Sequence, residues 1–222
     1  MSLELGYWDI RGLAEAIRML LTHLEVPFLD TTYTLGPKPD FDRSQWLSVK
    51  ETLGLDFPNL PYLIDGEFKL TESRAILKYI CEKYRPEYLG EGLKQQMRTE
   101  EISSLALTIS GKLYGVCYDP EYSSKVSQVL GEVRVILERI GRSLERSRFL
   151  VGNQVTYMDF AFFELLQLIS AMEPGFLTTI SANFLAYQAH FRSLPHIVEF
   201  ENRHSPRLSY CNGSSTFNAR TL

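Results

Sequence analysis

The pattern of the chain changes once, near residues 86–92, and that change limits the fold more than any other feature. Before it, short apolar runs with alternating residues are interleaved with helical ones. Leu3 to Tyr7 reads as a strand leading into Arg11-Gly12, and Leu13, Ile17, Leu20, Leu21 and Leu24 recur at helical spacing. Leu29 to Thr34 alternates as a strand does, and Gly36-Pro-Lys-Pro39 reads as a loop. Leu60 to Leu70 is a hairpin with an Asp65-Gly66 turn, and Thr71 or Glu72 opens a helix whose face is Ala75, Ile76, Tyr79 and Ile80. After Pro86-Glu-Tyr-Leu-Gly-Glu-Gly92 only helical periodicity remains: Leu93 to Cys117, Tyr122 to Arg146, Tyr157 to Met172, Ala182 to Phe191 and Ile197 to Asn202. Ser205 to Leu222 has little periodicity and is expected as a surface tail. The fold class is therefore α/β plus all-α. The expected division is 1–85, a linker at 86–92, and a helical domain at 93–222.

Composition narrows the partners. Charged residues are 23% of the chain, net charge is −4, and no Lys/Arg block is visible, so no nucleic-acid partner is expected. No apolar run reaches the 18 or so residues of a membrane span, so no membrane partner is expected. The first residues lack a basic segment followed by an apolar one, so they do not read as a signal peptide. Cys81, Cys117 and Cys211 are odd in number and far apart, which suits a reducing, cytoplasmic setting. His23, His190, His196 and His204 have no zinc-ligand spacing, so no metal is expected. In the segment Gly152 to Phe160, Thr156 and Asp159 have capping-box spacing, with Val155 and Phe160 as a hydrophobic staple. That role for Asp159 is structural rather than catalytic.

Several ordered blocks carry a resemblance. Leu5-Gly-Tyr7-Trp8-Asp-Ile10-Arg11-Gly12-Leu13-Ala14 comes first, then Tyr33-Thr-Leu-Gly36 and Pro39 to Leu47. Leu53 to Gly66 follows, with Ser73, Ala75 to Leu77 and Tyr79, then Cys117-Tyr118-Asp119-Pro120 and the segment from Gly152 to Phe160. Together they resemble the mu-class glutathione transferases over about residues 3 to 204. The resemblance implies an N-terminal thioredoxin-like domain that binds glutathione, followed by an all-helical C-terminal domain carrying the electrophile site. It implies a homodimer that joins glutathione, as co-substrate with no other cofactor, to hydrophobic electrophiles in detoxification.

The resemblance also assigns residues. Tyr7 matches the tyrosine whose hydroxyl donates to the glutathione sulfur. Taken alone, it reads rather as a packed core tyrosine; the flanking Gly6 and Trp8 favour the catalytic role. Trp8, Leu13, Arg43, Trp46, Lys50, Asn59, Leu60, Pro61, Glu72 and Ser73 match glutathione contacts, with Leu60-Pro61 expected in cis. Arg43, Trp46 and Lys50 would meet the glycine carboxylate. Glu72 and Ser73 would meet the γ-glutamyl end. Backbone N–H groups near Arg11 to Leu13 are expected to help the thiolate. Leu107, Gly111, Tyr114 and Tyr118 fall on one helical stripe and match the electrophile wall, with Ile10 and Leu13 opposite. Leu107 reads as well as plain helix packing. Tyr118 matches a second catalytic donor, and Phe57 matches a key inserted between helices of a partner subunit.

Some positions depart from the pattern. Glu72 stands where a glutamine is usual, Thr108 where the partner aspartate lies, and Lys78 where an arginine is usual; the tail also differs. Two other readings are a non-catalytic carrier of hydrophobic ligands on the same fold and a disulfide oxidoreductase of thioredoxin type. The latter needs a cysteine at a helix start, and Tyr7 to Ala14 has none.

Overall fold

A computed structural model describes residues 3–204 and 208–217. Strands β1 (Leu3–Trp8), β2 (Phe28–Tyr33), β3 (Tyr62–Asp65) and β4 (Phe68–Thr71) form one sheet in the order β2-β1-β3-β4. β1 runs parallel to β2, and β3 is antiparallel to both β1 and β4. The parallel pair needs a crossover, which α1 (Glu15–His23) supplies. Helices α2 (Ser44–Lys50) and α3 (Ser73–Tyr84) complete the first unit.

Pleating explains how β1 serves two faces. Gly6 pairs with Tyr62 across the sheet, and a side chain at Gly6 would come within 2.1 Å of the Tyr62 ring. Glycine lets that ring lie flat, and Trp46 of α2 stacks on it at 6.1 Å while meeting Tyr33 edge-on at 5.4 Å. Leu5 and Tyr7 point to the other face, under α1, whose Ile17, Leu20 and Leu21 are fully buried.

The helical unit runs α4 (Gly92–Cys117), α5 (Tyr122–Ser143), α6 (Tyr157–Met172), α7 (Phe176–Ile180), α8 (Asn183–Arg192) and α9 (Ile197–His204). α6 is the centre of the unit, with Phe160, Phe162, Phe163, Leu166 and Leu168 at zero exposure. Its start is capped as expected: the Asp159 carboxylate accepts the Thr156 N–H at 2.7 Å and the Thr156 hydroxyl at 2.9 Å. It also accepts the Leu150 N–H at 3.0 Å, so it holds the preceding loop as well. Among the described residues, no helix is long and apolar enough to cross a membrane.

The structure corrects several sequence expectations. α1 begins at Glu15 rather than Leu13, because Arg11 to Ala14 form a turn in which Gly12 has φ +43°. α3 begins at Ser73, with Glu72 outside it at φ +72°. α2, α7 and a 3-10 turn at Pro86–Leu89 inside the linker are absent from the sequence reading. All three are short, so their apolar residues do not complete a helical period. The largest correction is the expected surface tail. Residues 205–207 and 218–222 lie outside the described residues, but residues 208–217 form a strap with Tyr210, Cys211, Ser215 and Phe217 buried. Thr216 and Phe217 donate backbone N–H groups to the Cys117 carbonyl at 2.9 and 3.1 Å. Main-chain bonds of this kind need no periodic pattern, so hydrophobic spacing could not reveal them.

His23 joins the two units. Its Nδ1 faces the Pro195 carbonyl at 2.9 Å, so that nitrogen carries the proton, and Nε2 accepts the Tyr88 hydroxyl at 2.9 Å. Burial holds its pKa below the ordinary histidine value, outweighing the Pro195 carbonyl, which would raise it. The neutral form is therefore favoured in the folded state. As pH falls through about 6.5 the unfolded chain takes up the proton first, and stability is lost. In urea titrations, the stability gap between wild type and His23→Gln should narrow from pH 7.5 to 5.5. A gap that stays constant with pH would show that His23 carries no such linkage.

Candidate active site between the two units

Tyr7 is the penultimate residue of β1, with 6% exposure. The Leu13 N–H donates to its hydroxyl oxygen at 3.1 Å. Burial is the main cause that pushes its pKa up to about 12, with the Leu13 bond and Arg18 acting the other way. The hydroxyl is therefore protonated at neutral pH. Its oxygen is occupied as an acceptor, so its proton is free to point outward. Gly12 makes this possible, since a Cβ there would lie 2.6 Å from the Tyr7 hydroxyl.

The turn after Tyr7 is braced from behind. Arg11 is 1% exposed and reaches Glu164 of α6 through Nε at 2.8 Å and Nη2 at 2.5 Å. Its guanidinium lies 4.4 Å from the centre of the Tyr210 ring. The Arg11 and Gly12 N–H groups donate to the carbonyls of Ser209 and Tyr210 at 2.8 and 3.2 Å. Of the N–H groups expected to help a thiolate, those of Arg11 and Gly12 bond the strap and that of Leu13 bonds the Tyr7 hydroxyl.

The sequence reading missed Arg11, Glu164 and Tyr210 as parts of this site. A signal existed for Glu164, because a carboxylate inside the apolar run from Phe160 to Ile169 needs a buried partner. None existed for the strap.

The residues expected to meet the glycine carboxylate lie on and beside α2. Arg43 caps its start, Trp46 lies in its first turn and Lys50 ends it, a spacing of three then four that puts them on one face. Arg43 is exposed and Lys50 is partly exposed and near Glu51. Trp46 is only 6% exposed and is spent mainly on Tyr33 and Tyr62, so packing is its visible role. The Leu60-Pro61 bond is cis, as expected, with Asn59 exposed and Leu60 buried. Trp8 and Ser73 are partly buried, and Glu72 is exposed. The left-handed backbone at Glu72 is uncommon for a residue with a side chain, and such strain tends to gather at binding sites.

Gly12, Leu13, Ser73, Arg74, Tyr114 and Glu164 line a cavity of about 50 Å³ between α1, α3, α4 and α6. It brings together Leu13, Ser73 and Tyr114 from the expected site. Leu107 and Gly111 are exposed along α4 and Tyr118 just past its end, and Leu13 is 42% exposed. Ile10 is only 7% exposed, because the turn tucks its side chain into the core, so it offers little wall to a ligand. The Tyr114 hydroxyl donates to the Gly12 carbonyl at 3.3 Å. The Tyr118 hydroxyl accepts the Asn212 N–H at 3.2 Å, so it holds the strap. Burial raises its pKa.

Comparison with known proteins agrees with this architecture. The family description "Glutathione S-transferase, N-terminal domain" matches residues 3–82, and "Glutathione S-transferase, C-terminal domain" matches residues 112–204. The chain is 41% identical to glutathione S-transferase Mu 4 of Rattus norvegicus over 89% of both chains. It is 40% identical to glutathione S-transferase Mu 4 of Homo sapiens over 90% of both. The chain belongs to the glutathione S-transferase family, mu class. Among solved structures, the glutathione S-transferase Blo t 8 superposes with a TM-score of 0.88 at 31% identity, covering 97% of this chain and 100% of that one. The thioredoxin-like sheet and the helical unit are the architecture of that family.

Glu164→Gln removes the two-point partner of buried Arg11 and leaves it with Glu15 at 3.9 Å. It should lower unfolding free energy by about 3–5 kcal/mol, the cost of breaking a buried ion pair by removing one partner. Guanidinium titration measures it, and a loss under about 1 kcal/mol would mean that the pair is not the brace described.

Proposed function

We propose that this chain is a glutathione transferase that joins the glutathione thiolate to hydrophobic electrophiles, transferring alkyl or aryl groups other than methyl. Glutathione gives up its thiol proton to solvent, its sulfur attacks the electrophilic carbon, and the leaving group departs with the bonding electrons. The arrangement of Tyr7 carries this reading. An unperturbed thiol has a pKa of about 8.5, and lowering it by about two units takes about 2.7 kcal/mol of selective anion stabilisation. One hydrogen bond to a charged acceptor is worth roughly 1.5–3 kcal/mol. Tyr7, with its oxygen polarised by the Leu13 N–H and its own proton free, is a donor of that kind.

The remaining contacts supply orientation. Arg43 and Lys50 offer positive charge to the glycine carboxylate. Asn59 and Leu60 flank the cysteinyl part, with Pro61 fixing the chain beyond it and Trp8 beside the tripeptide. Ser73 opens α3, whose N-terminal end favours the γ-glutamyl carboxylate. Glu72, exposed beside it, is suited to the γ-glutamyl amine, which the uncharged Thr108 cannot attract. Leu13, Leu107, Gly111 and Tyr114 form the apolar approach for the electrophile. Tyr118 is a weaker candidate for catalysis than Tyr7, since its hydroxyl holds the strap. No metal or further cofactor enters this chemistry. Three free thiols suit a reducing cytoplasm, where such conjugation removes toxic electrophiles.

The working unit is proposed as a homodimer. Phe57 is 80% exposed, which is costly for a phenyl ring on a free surface. Between α4 and α5 lies a groove of about 540 Å³, lined by Ile102, Leu105, Ile136 and Ile140 among others. Phe57 of one copy suits that groove of the other.

Turnover of a chromogenic aryl halide with glutathione tests the chemistry. Tyr7→Phe should lower kcat/KM by roughly one to three decades, with a smaller change in glutathione affinity. Because Tyr7 is pushed up to about 12, the wild-type profile of kcat/KM for the aryl halide at saturating glutathione should rise with a single ionisation, that of the bound thiol, and show no tyrosine ionisation below about pH 10. Activity of the variant within twofold of wild type would remove Tyr7 from the mechanism. Phe57→Ser should shift sedimentation towards monomer and lower activity with it. A fully active wild-type monomer would refute the dimer.

A further inference from the structure

Asn212 is the one asparagine of the chain that is followed by glycine. The pair sits in the strap, at a turn closed by the Ser215 N–H donating to the Asn212 carbonyl at 3.0 Å. Gly213 and Ser214 are exposed and Asn212 is half-buried. The Asn212 side chain is engaged through its oxygen: Oδ1 accepts the Ser214 N–H at 3.1 Å and the Ser214 hydroxyl at 2.7 Å. Its amide nitrogen and the Gly213 N–H have no hydrogen-bond partner among the described residues. The fold does not ask for the glycine. Its φ is not positive, and a Cβ there would meet no described atom within 4 Å. Gly66 is the contrast, since its φ in the Asp65-Gly66 turn is +63°, a conformation that favours glycine.

We propose that Asn212 is a site of spontaneous deamidation, and that its product, an isoaspartyl link to Gly213, loosens the strap from the end of α4. The Gly213 nitrogen gives its proton to solvent base and attacks Cγ of Asn212, an approach that no Cβ on Gly213 obstructs. Negative charge develops on Oδ1, an atom that already accepts two donors from Ser214, and they stabilise it. The bond from Cγ to the side-chain nitrogen breaks, ammonia leaves with a proton from water, and a cyclic imide remains. Water opens the ring. Attack at the former main-chain carbonyl gives isoaspartate, in which the chain runs through Cβ and Cγ; attack at Cγ gives aspartate. In sum, one amide and one water become one carboxylate and one ammonium, and nothing is oxidised or reduced. Isoaspartate adds a carbon to the backbone and turns the carbonyl that held Ser215 into a free carboxylate. The added carbon falls between two ties to the end of α4. Before it, the Asn212 N–H donates to the Tyr118 hydroxyl at 3.2 Å. After it, the Thr216 and Phe217 N–H groups donate to the Cys117 carbonyl at 2.9 and 3.1 Å. With the spacing changed, the two ties no longer share one register.

The test holds the full-length protein in reducing, mildly alkaline buffer for weeks. Samples are digested in mild acid, where ring closure is slow, and their peptides are read by mass. The peptide carrying Asn212 should gain the mass of an amide-to-acid exchange, faster as the buffer is made more alkaline. Peptides carrying Asn59, Asn153, Asn183 and Asn202 should stay unchanged. An isoaspartate-specific carboxyl methyltransferase should label the Asn212 peptide. Gly213→Ala should slow the conversion by about tenfold or more. Converted protein, separated by its added negative charge, should exchange the amides of residues 212–217 with deuterium faster than unconverted protein does. An unchanged Asn212, equal conversion of the other asparagines, or a Gly213→Ala rate within twofold of wild type would each overturn the proposal. So would aspartate without isoaspartate, or an exchange rate across the strap that conversion leaves unaltered.

Discussion

Arg11 and Glu164 form a two-point ion pair with almost no exposure on either side, and both units of the chain meet on it. Taking two charges out of water costs several kcal/mol per ion, so the pair persists only because its geometry is good and its neighbours are arranged around it. Tyr210 covers the guanidinium, and Arg11 lies in the same buried cluster as Glu15 and Arg18, at 3.9 and 3.6 Å ion separations. Asp30 of β2 closes the cluster through a 2.9 Å bond from Arg18. A hydrophobic contact at this point would stabilise the interface but would leave the turn free to slide. The ion pair fixes direction as well as distance.

Positioning follows from that. With Arg11 held, the turn from Arg11 to Ala14 has one path, and that path brings the Leu13 N–H to the Tyr7 oxygen and the Gly12 carbonyl to Tyr114. The strap is held by the same turn through Ser209 and Tyr210 and by α4 through Cys117 and Tyr118. The Tyr7 hydroxyl, the apolar approach along α4 and the strap thus meet at one junction.

Much of this was legible in the sequence. The interruption near residues 86–92 separates the sheet unit from the helices, and the long periodic helices α4 and α6 end where their patterns end. The ordered block around Pro61 carried the cis bond at Leu60-Pro61. What stayed hidden has a common physical cause. α2 is a single seven-residue element with one buried side chain, too short for a period to show. The strap is held by backbone carbonyls and N–H groups, which are the same in every residue type. The Arg11–Glu164 pair joins residues 153 apart, and charge pairing at that separation leaves no local mark. Trp46 shows the converse: a residue matched to ligand binding that the fold uses mainly as a platform for Tyr62.

The central claim is that the buried pair aims Tyr7, and titration of bound glutathione tests it most directly. Removing one charge would confound positioning with collapse, so the chain to use is the double variant Arg11→Met with Glu164→Leu, which removes both charges and keeps an apolar junction. The thiolate absorbs in the near ultraviolet, so its ionisation can be followed against pH on saturated protein. The account predicts that the double variant stays folded while the thiol pKa rises towards its free value by about one unit or more, equivalent to about 1.4 kcal/mol of lost anion stabilisation. A folded double variant whose bound thiol ionises at the wild-type pH would contradict it.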